Sequence, residues 1–291
     1  MIDFRHKTFL ELCKVKNYTR TAENLHMTQP AVTQHIKYLE EIYGGKLFNY
    51  SGKNLSISDK GKKLYEYTHR MVADSKLIKE MVAANDDNIT VTFGATLTIG
   101  EFVMPGIISR AMKDSKNLHF NMFVENTKSL LLKLQTGEIS FALLEGFFDK
   151  SKYGYQLFSK EEFIAVCSSE SPLKSGVHPL DELLKERLIL RESGSGTRDI
   201  LARILYEKNL SKDNFESIIE IGNMSAIKEL VAQNEGITFL YKAAAQKELD
   251  SKALYQIDIE DFKVIREFNF VYLKDSILEN DYLKWFKLLC K

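Results

Sequence analysis

The chain has 291 residues, about twice the usual length of a single domain, so two or three domains are expected, each able to bury its own core. Hydrophobic residues at 44% and charged residues at 27% exclude a largely disordered or fibrous chain. The 40 basic and 40 acidic residues cancel overall, but unevenly: residues 1–65 hold 11 Lys and Arg against 6 Asp and Glu, and residues 87–291 hold 26 against 30. A basic head on an acidic remainder suits a nucleic-acid-binding module joined to a domain of another kind, because neutralising phosphates supplies most non-specific affinity.

No uninterrupted apolar stretch approaches the roughly 20 residues of a membrane helix. The N-terminal MIDFRHKTFLELCKVK is amphipathic and has no cleavable apolar core, so a cytoplasmic location without membrane contact is expected. Cys13, Cys167 and Cys290 lie far apart, with no CxxC and no nearby histidine pair, which argues against a disulfide framework and a zinc site.

In chain order, Phe4, Phe9, Leu10, Leu12 and Cys13 recur at helical spacing until Asn17 interrupts them in a turn, which predicts a first helix. Tyr18 to Leu25 reads as a short second helix whose small residues Thr21 and Ala22 allow a neighbour to pack close. Thr28 is placed to cap a third helix, with Pro30 in its first turn, where a missing N–H costs nothing; Val32, Ile36, Leu39 and Tyr43 line one face to about Gly44. The opposite face carries Gln29, Thr33, Gln34 and Lys37, side chains suited to base edges and phosphates in a major groove, though a solvated bundle face would also accept them. After Gly44-Gly45, the segments 46–48 and 55–57 flank Ser51-Gly52-Lys53-Asn54, a turn-rich run read as a two-stranded wing with Lys53 near the sugar-phosphate backbone.

The stretch NYTRTAENLHMTQPAVTQHIKYLE, then GxxLF, then LSISDKG, resembles the LysR-type transcriptional regulator family. The match runs in register through Thr21, Ala22, Leu25, Gln29, Pro30, Ala31, Val32, Thr33, Ile36, Leu39, Glu40, Gly44, Leu47, Phe48, Ser58 and Gly61. The resemblance implies that Thr28, Gln29, Pro30, Ala31, Thr33 and Gln34 form the groove-facing part of a recognition helix. The chain departs from the family pattern at Tyr50, where arginine is usual, and at Thr21, the first of a usual alanine pair; Lys53 or Lys46 would then supply the wing's phosphate grip.

Ser58 is placed to cap a connecting helix in which Leu64, Tyr67, Met71, Ile78 and Met81 fall close to a heptad repeat, with Asp74 as a polar exception. Such a seam needs a partner, and the resemblance implies a second copy, with two-fold DNA half-sites as the consequence. Residues 85–88 read as a polar hinge.

Beyond it, Ile89, Val91 and Phe93 alternate like a strand, and apolar segments at 120–124, 141–144, 188–190, 218–221 and 237–240 alternate with helical stretches, which predicts parallel α/β architecture. In such sheets ligands bind beyond the carboxyl ends of strands, at helix N-termini. Three segments fit: Thr96-Leu97-Thr98, Asn126-Thr127, and Ser193-Gly194-Ser195-Gly196-Thr197-Arg198, each also readable as a helix cap. Arg198 either puts a fixed charge at a cleft edge or pairs with Asp199 or Glu192. The six histidines are scattered and none neighbours the Gly-Ser loop, so no catalytic constellation is written and an enzyme is not expected.

TGEISFALL and QNEGI again resemble the family, whose effector domain is a two-lobed, periplasmic-binding-protein-like fold. The resemblance implies an α/β chain with an N-terminal all-α/winged-helix domain. The winged helix-turn-helix would span 1–58, the linker and hinge 59–88, and the effector domain 89–291, with one lobe at 89–162 and 267–291 and the other at 163–266. It implies Thr96, Thr98, Thr127, Ser195 and Thr197 as effector contacts, with Asn223 and Met224 as further candidates. RESGSGTR is similar to members concerned with sulfur or carbon assimilation, so the expected ligand is a small anion, with no resident cofactor or metal. The implied partners are promoter DNA, further copies of the chain as a homodimer or homotetramer, and RNA polymerase. A redox-responsive regulator built on Cys167 and a ligand-independent one remain alternatives.

Overall fold

The computed structural model describes residues 3–51, 54–83, 89–114 and 117–290, and the chain divides into two compact units: residues 1–83 with 135–138, and residues 84–134 with 139–291. In the first unit α1 (Phe4–Val15), α2 (Tyr18–Asn24) and α3 (Gln29–Ile42) precede a hairpin of β1 (Phe48–Ser51) and β2 (Asn54–Ile57), and α4 (Asp59–Ala83) follows. Local chemistry sets each helix start. Asp3, Asn17 and Thr28 accept backbone N–H bonds from Arg5, Arg20 and Ala31, and Pro30 falls in the first turn of α3. The apolar stripes then meet, with Phe9, Leu12, Cys13, Ile36, Leu39, Leu47, Phe48 and Leu55 closing one core between the helices and the wing.

The wing starts two residues later than the pattern implied, at Phe48, because Leu47 is drawn into the core and its N–H binds the Glu40 carboxylate at 3.0 Å. Lys53 at the wing tip and the hinge expected at 85–88 lie outside the described residues. Ser58 caps α4, its hydroxyl accepting from Gly61 N–H at 2.9 Å and donating to the Lys46 carbonyl at 2.6 Å. In α4 the expected seam splits: Tyr67, Met71 and Met81 are exposed, whereas Asp74 is buried.

The second unit is built from two lobes. In chain order it has β3 (Ile89–Ala95), a five-residue π-helix (Ile99–Val103), α5 (Met104–Asp114), β4 (Leu118–Val124), α6 (Thr127–Gln135), β5 (Ala142–Glu145), β6 (Tyr153–Ser168), β7 (Val177–His178) and α7 (Leu180–Leu183). It continues with β8 (Arg187–Leu190), α8 (Gly196–Glu207), β9 (Ser217–Glu220), α9 (Met224–Ala232), β10 (Thr238–Tyr241), α10 (Lys242–Asp250), β11 (Leu254–Ile259), β12 (Val264–Leu273) and α11 (Glu279–Leu289). Every strand expected from apolar runs is present, and β3 pairs in parallel with β4 and β5, as β8 does with β9.

The purely parallel expectation is corrected by β6, β11 and β12, which were not foreseen and pair antiparallel. Along its first half β6 reads YGYQLFSKEE, too polar and irregular to announce a strand, yet it runs for 16 residues. Together β6 and β12 tie the lobes. In the first lobe the end of β12 pairs with β5, and in the second the end of β6 pairs with β10 and β11. Phe93, Phe141 and Phe270 stack through the first lobe at centroid separations of 5.1 and 4.4 Å; Ile164, Val166, Ile189, Ile227, Val231 and Leu240 fill the second.

Gly61 marks the tightest point of the first unit, since a Cβ there would stand 2.2 Å from the Leu47 carbonyl oxygen. Gly61→Ala is therefore expected to force α4 off the wing and cost ~1–3 kcal/mol. A lowered thermal midpoint would show it; an unchanged midpoint would mean that the junction is loose.

Candidate functional site

Two groups of residues stand out, one in each unit. In the first, α3 turns Val32, Ile36 and Leu39 into the core, leaving Gln29, Gln34 and Lys37 exposed and Thr33 half-buried along the opposite face. Gln29 Nε2 donates to Thr33 Oγ1 at 3.1 Å, and Thr33 Oγ1 donates to the Gln29 carbonyl at 3.1 Å, so the two side chains are presented as a pair. Thr28 and Pro30 fix the helix start and Ala31 keeps its first turn slim. Between this face and the wing lies a groove of about 300 Å³ lined by Tyr18, Gln29, Thr33, Lys37, Lys46 and Tyr50 among others. Lys46 is tied to Glu40 at 3.0 Å, while Tyr50, exposed and stacked on Tyr18, takes the place of the wing's expected cation.

In the second unit the candidate residues converge on one that the sequence reading did not name, Glu145, the last residue of β5 and 1% exposed. Its N–H donates to Thr96 Oγ1 at 3.3 Å, its carbonyl accepts from Thr127 Oγ1 at 3.1 Å, and its carboxyl Oε1 accepts from Thr197 Oγ1 at 3.0 Å. Thr96 and Thr127 thus hold the strand end from within the first lobe, and Thr197 reaches it from the second. The lobes touch backbone to backbone here. A Cβ on Gly196 would stand 2.5 Å from the Glu145 carbonyl oxygen, and Gly146, at φ +89°, faces the Gly196 Cα.

Thr98 lies beside the carboxyl but off hydrogen-bonding geometry. Its hydroxyl, Ser195 Oγ, Glu145 Oε2 and Arg191 Nη1 are all buried without a partner. Arg191, 3% exposed, spends its other nitrogens on Glu192 at 2.8 and 3.0 Å. Arg198 does not face this centre: it pairs with Glu220 at 2.6 Å, not with Asp199 or Glu192, and bonds the Arg191 carbonyl. Asn223 is exposed and uses its amide oxygen to cap α9, and Met224 is buried in the core of the second lobe, so neither joins the cluster. None of the nominated residues lines the cavity of about 550 Å³ bounded by Phe147, Lys150, Arg203, Arg266 and Asn269.

Glu145 and Arg191 were missed for different reasons. A lone acid closing the apolar run FALLE was a usable signal, because it stands at the carboxyl end of a strand, where ligands bind. Arg191 gave none, since RES reads as an ordinary polar loop. Cys167 is fully buried and its thiol is pushed up by that burial, which opposes the reactivity a redox sensor needs.

Burial also pushes the Glu145 carboxyl up, to about 7, against the pull of the Thr98 and Thr197 hydroxyls and the Arg191 cation, with the Glu192 charge adding to the rise. Tyr241, the other titratable group against it, stays neutral. The folded state therefore binds this proton more tightly than the unfolded chain, and the stability it carries is lost as pH rises from the ordinary glutamate range through about 7. Denaturation in urea at pH 5 and pH 8 is expected to show a loss of up to about 3 kcal/mol in the wild type that Glu145→Gln removes. Equal pH dependence in the two proteins would place the charge in solvent.

Comparisons with known proteins match both units of the chain. Residues 5–62 match the model of bacterial regulatory helix-turn-helix proteins of the lysR family, and residues 84–290 match the LysR substrate-binding domain. The regulator CysL of Bacillus subtilis is 26% identical over 277 residues, covering 94% of this chain and 91% of its own. An uncharacterised HTH-type regulator of Methanocaldococcus jannaschii is 26% identical over 274 residues, covering 93% and 91%. A hydrogen-peroxide-bound OxyR mutant of Corynebacterium glutamicum has the same fold, with a TM-score of 0.63 at 20% identity over 98% of this chain and 90% of that one. The regulatory domain of CcmR from Synechocystis, solved with 2-PG, gives 0.61 at 20% identity over 69% of this chain and 97% of that one. With its head and its two-lobed domain both matched, the chain belongs to the LysR family of transcriptional regulators.

Proposed function

We propose that this regulator senses a small metabolite bearing an anionic group in the cleft between its lobes and that occupancy changes how it engages promoter DNA. The observation that carries the reading is the set of buried, unpartnered polar atoms where β5 of one lobe meets the N-terminus of α8 of the other. A buried hydroxyl or guanidinium without a partner costs ~1–3 kcal/mol, and a ligand that supplies the missing bonds returns it. Such a ligand stabilises the arrangement of lobes that completes its contacts, and shifts the equilibrium by no more than its difference in affinity for the two arrangements. The domain of CcmR solved with 2-PG supports a small-molecule effector for this fold.

On the DNA side Gln29, Thr33, Gln34 and Lys37 would enter the major groove, with Thr28, Pro30 and Ala31 fitting the first turn against it and Lys53 on the backbone. The exposed Tyr67, Met71 and Met81 of α4 would pair with a second copy, giving a homodimer with two-fold half-sites and, by pairing of effector domains, a homotetramer that contacts RNA polymerase. No helix among the described residues is long and apolar enough to cross a membrane; a regulator that must reach DNA would work in the cytoplasm. Three of the buried threonines are spent on holding a strand end, which favours sensing over turnover.

The division of labour is testable with a DNA site selected from a random library. Gln29→Ala and Thr33→Ala should each weaken binding by ~1–3 kcal/mol, roughly 5- to 150-fold. They should leave untouched the thermal shift produced by small carboxylates and oxyanions, whereas Ser195→Ala and Thr98→Ala should abolish that shift and leave DNA affinity intact. Equal damage to both functions by both classes would overturn the scheme.

A further inference from the structure

The groove between α3 and the wing has two walls of different chemistry. One is the face of α3 that carries Gln29, Thr33 and Lys37; the other is the wing, where Tyr50 stands 66% exposed. Alternate residues of a strand share a side, so Phe48 and Tyr50 lie on one face of β1: Phe48 closes the core, and Tyr50 carries that face past the core's edge. There its ring lies nearly parallel to that of Tyr18, the first residue of α2, at 13° with 6.5 Å between centres. Fixed charge is sparse around it. Lys46 holds Glu40 at 3.0 Å and the same carboxylate takes the Leu47 N–H, which leaves Lys37 as the cation of the lining outside that ion pair.

A helix seated in the major groove is flanked by the sugar-phosphate strands that bound it. With α3 in that position, one such strand would run through the gap of about 300 Å³ between helix and wing, and on the wing side it would meet the exposed phenol of Tyr50. Resting on the reading of α3 as the recognition helix, we propose that Tyr50 is a phosphate-binding residue, its hydroxyl donating to an oxygen of the DNA backbone, and that Tyr18 is a positioning residue that holds the Tyr50 ring by stacking. A phenol carries no charge near neutral pH, so the bond it makes releases no condensed counterion. The wing thus adds affinity that salt does not screen. It adds it to every sequence alike, because a phosphate contact carries no base information, and specificity stays with Gln29, Thr33 and Gln34.

The experiment is a fluorescence-anisotropy titration of the full chain on a duplex selected from a random library and on an unselected duplex of equal length, from about 50 to 200 mM salt. Wild type is compared with Tyr50→Phe, Tyr50→Arg, Tyr18→Leu, the double variant Tyr18→Leu with Tyr50→Phe, and Gln29→Ala, with thermal midpoints to show each folded. Tyr50→Phe should bind both duplexes roughly two- to tenfold more weakly, the worth of one neutral hydrogen bond, with the slope of log affinity on log salt unchanged. Tyr50→Arg should steepen that slope by about 0.9. Tyr18→Leu should weaken binding only while Tyr50 keeps its hydroxyl, so in the Tyr50→Phe background it should cost nothing further. Wild-type binding by Tyr50→Phe, a loss confined to the selected duplex, or a salt slope untouched by Tyr50→Arg overturns the phosphate contact, and additive losses overturn the role of Tyr18. Gln29→Ala tests the reading beneath it: wild-type affinity there would overturn α3 as the recognition helix, whereas a loss on the selected duplex, with Tyr50→Phe weakening neither, would overturn the phenol contact alone.

Discussion

A carboxyl group held out of water between two lobes is the constraint around which the effector domain is arranged. Removing an ionised carboxylate from solvent without a counter-charge is among the costliest steps a fold can take, and the usual outcome is that the group keeps its proton. Glu145 sits in that position because the end of β5 is fixed from two sides: by Thr96 and Thr127 within its own lobe, and by Thr197 and Gly196 from the other. With a Cβ at Gly196 the backbones could not meet; with one at Gly146 the turn leading away from the strand would be strained as well as crowded. The long strands β6 and β12 supply the framework, running through both lobes so that a change at their contact is felt along each.

A second contact couples the lobes away from this centre. Phe102, in the π-helix after Thr98, packs against the apolar core of the second lobe, and the buried Lys228 Nζ stands 4.4 Å from its ring centre. The ammonium also bonds the Ala244 carbonyl and Glu248, so its charge is compensated and the aromatic contact adds to an already satisfied group. The segment carrying Thr98 is therefore gripped at both ends: by β5, through the bond between Thr96 and Glu145, and by the facing lobe, through Phe102. Irregular helix at such a point is common where a side chain must be aimed rather than merely packed.

How much of this was legible depended on whether the signal was local. Helix caps were legible at Thr28 and Ser58, because each acts within a turn of itself, whereas Asn17 read only as a turn; the apolar face of α3 followed from spacing alone. The hydroxyl-bearing loops were located correctly since they stand at strand ends, but their use differs from the simplest expectation: Thr96, Thr127 and Thr197 are spent on Glu145, and only Thr98 and Ser195 keep buried hydroxyls unspent. Asn223 and Met224 also stand at a helix start, and there the local pattern could not tell a cap and a core residue from a cleft. The antiparallel ribbons escaped because register and pairing are tertiary properties, and a strand like β6, polar for half its length, takes its shape from its neighbours.

Glu145 itself shows what distance along the chain conceals. Its surroundings come from segments around residues 96, 127, 191, 197 and 241, and no single window of sequence holds two of the three hydroxyls that bind it. The most direct measurement of the account is therefore the titration of this one carboxyl, by isotope-edited infrared difference spectra of the wild type against Glu145→Gln. A protonated carbonyl stretch that disappears with a midpoint near 7 is the predicted result. A carboxylate already ionised at pH 5, titrating in the ordinary glutamate range, would contradict a dry contact between the lobes and, with it, the reading of this cluster as the sensing site.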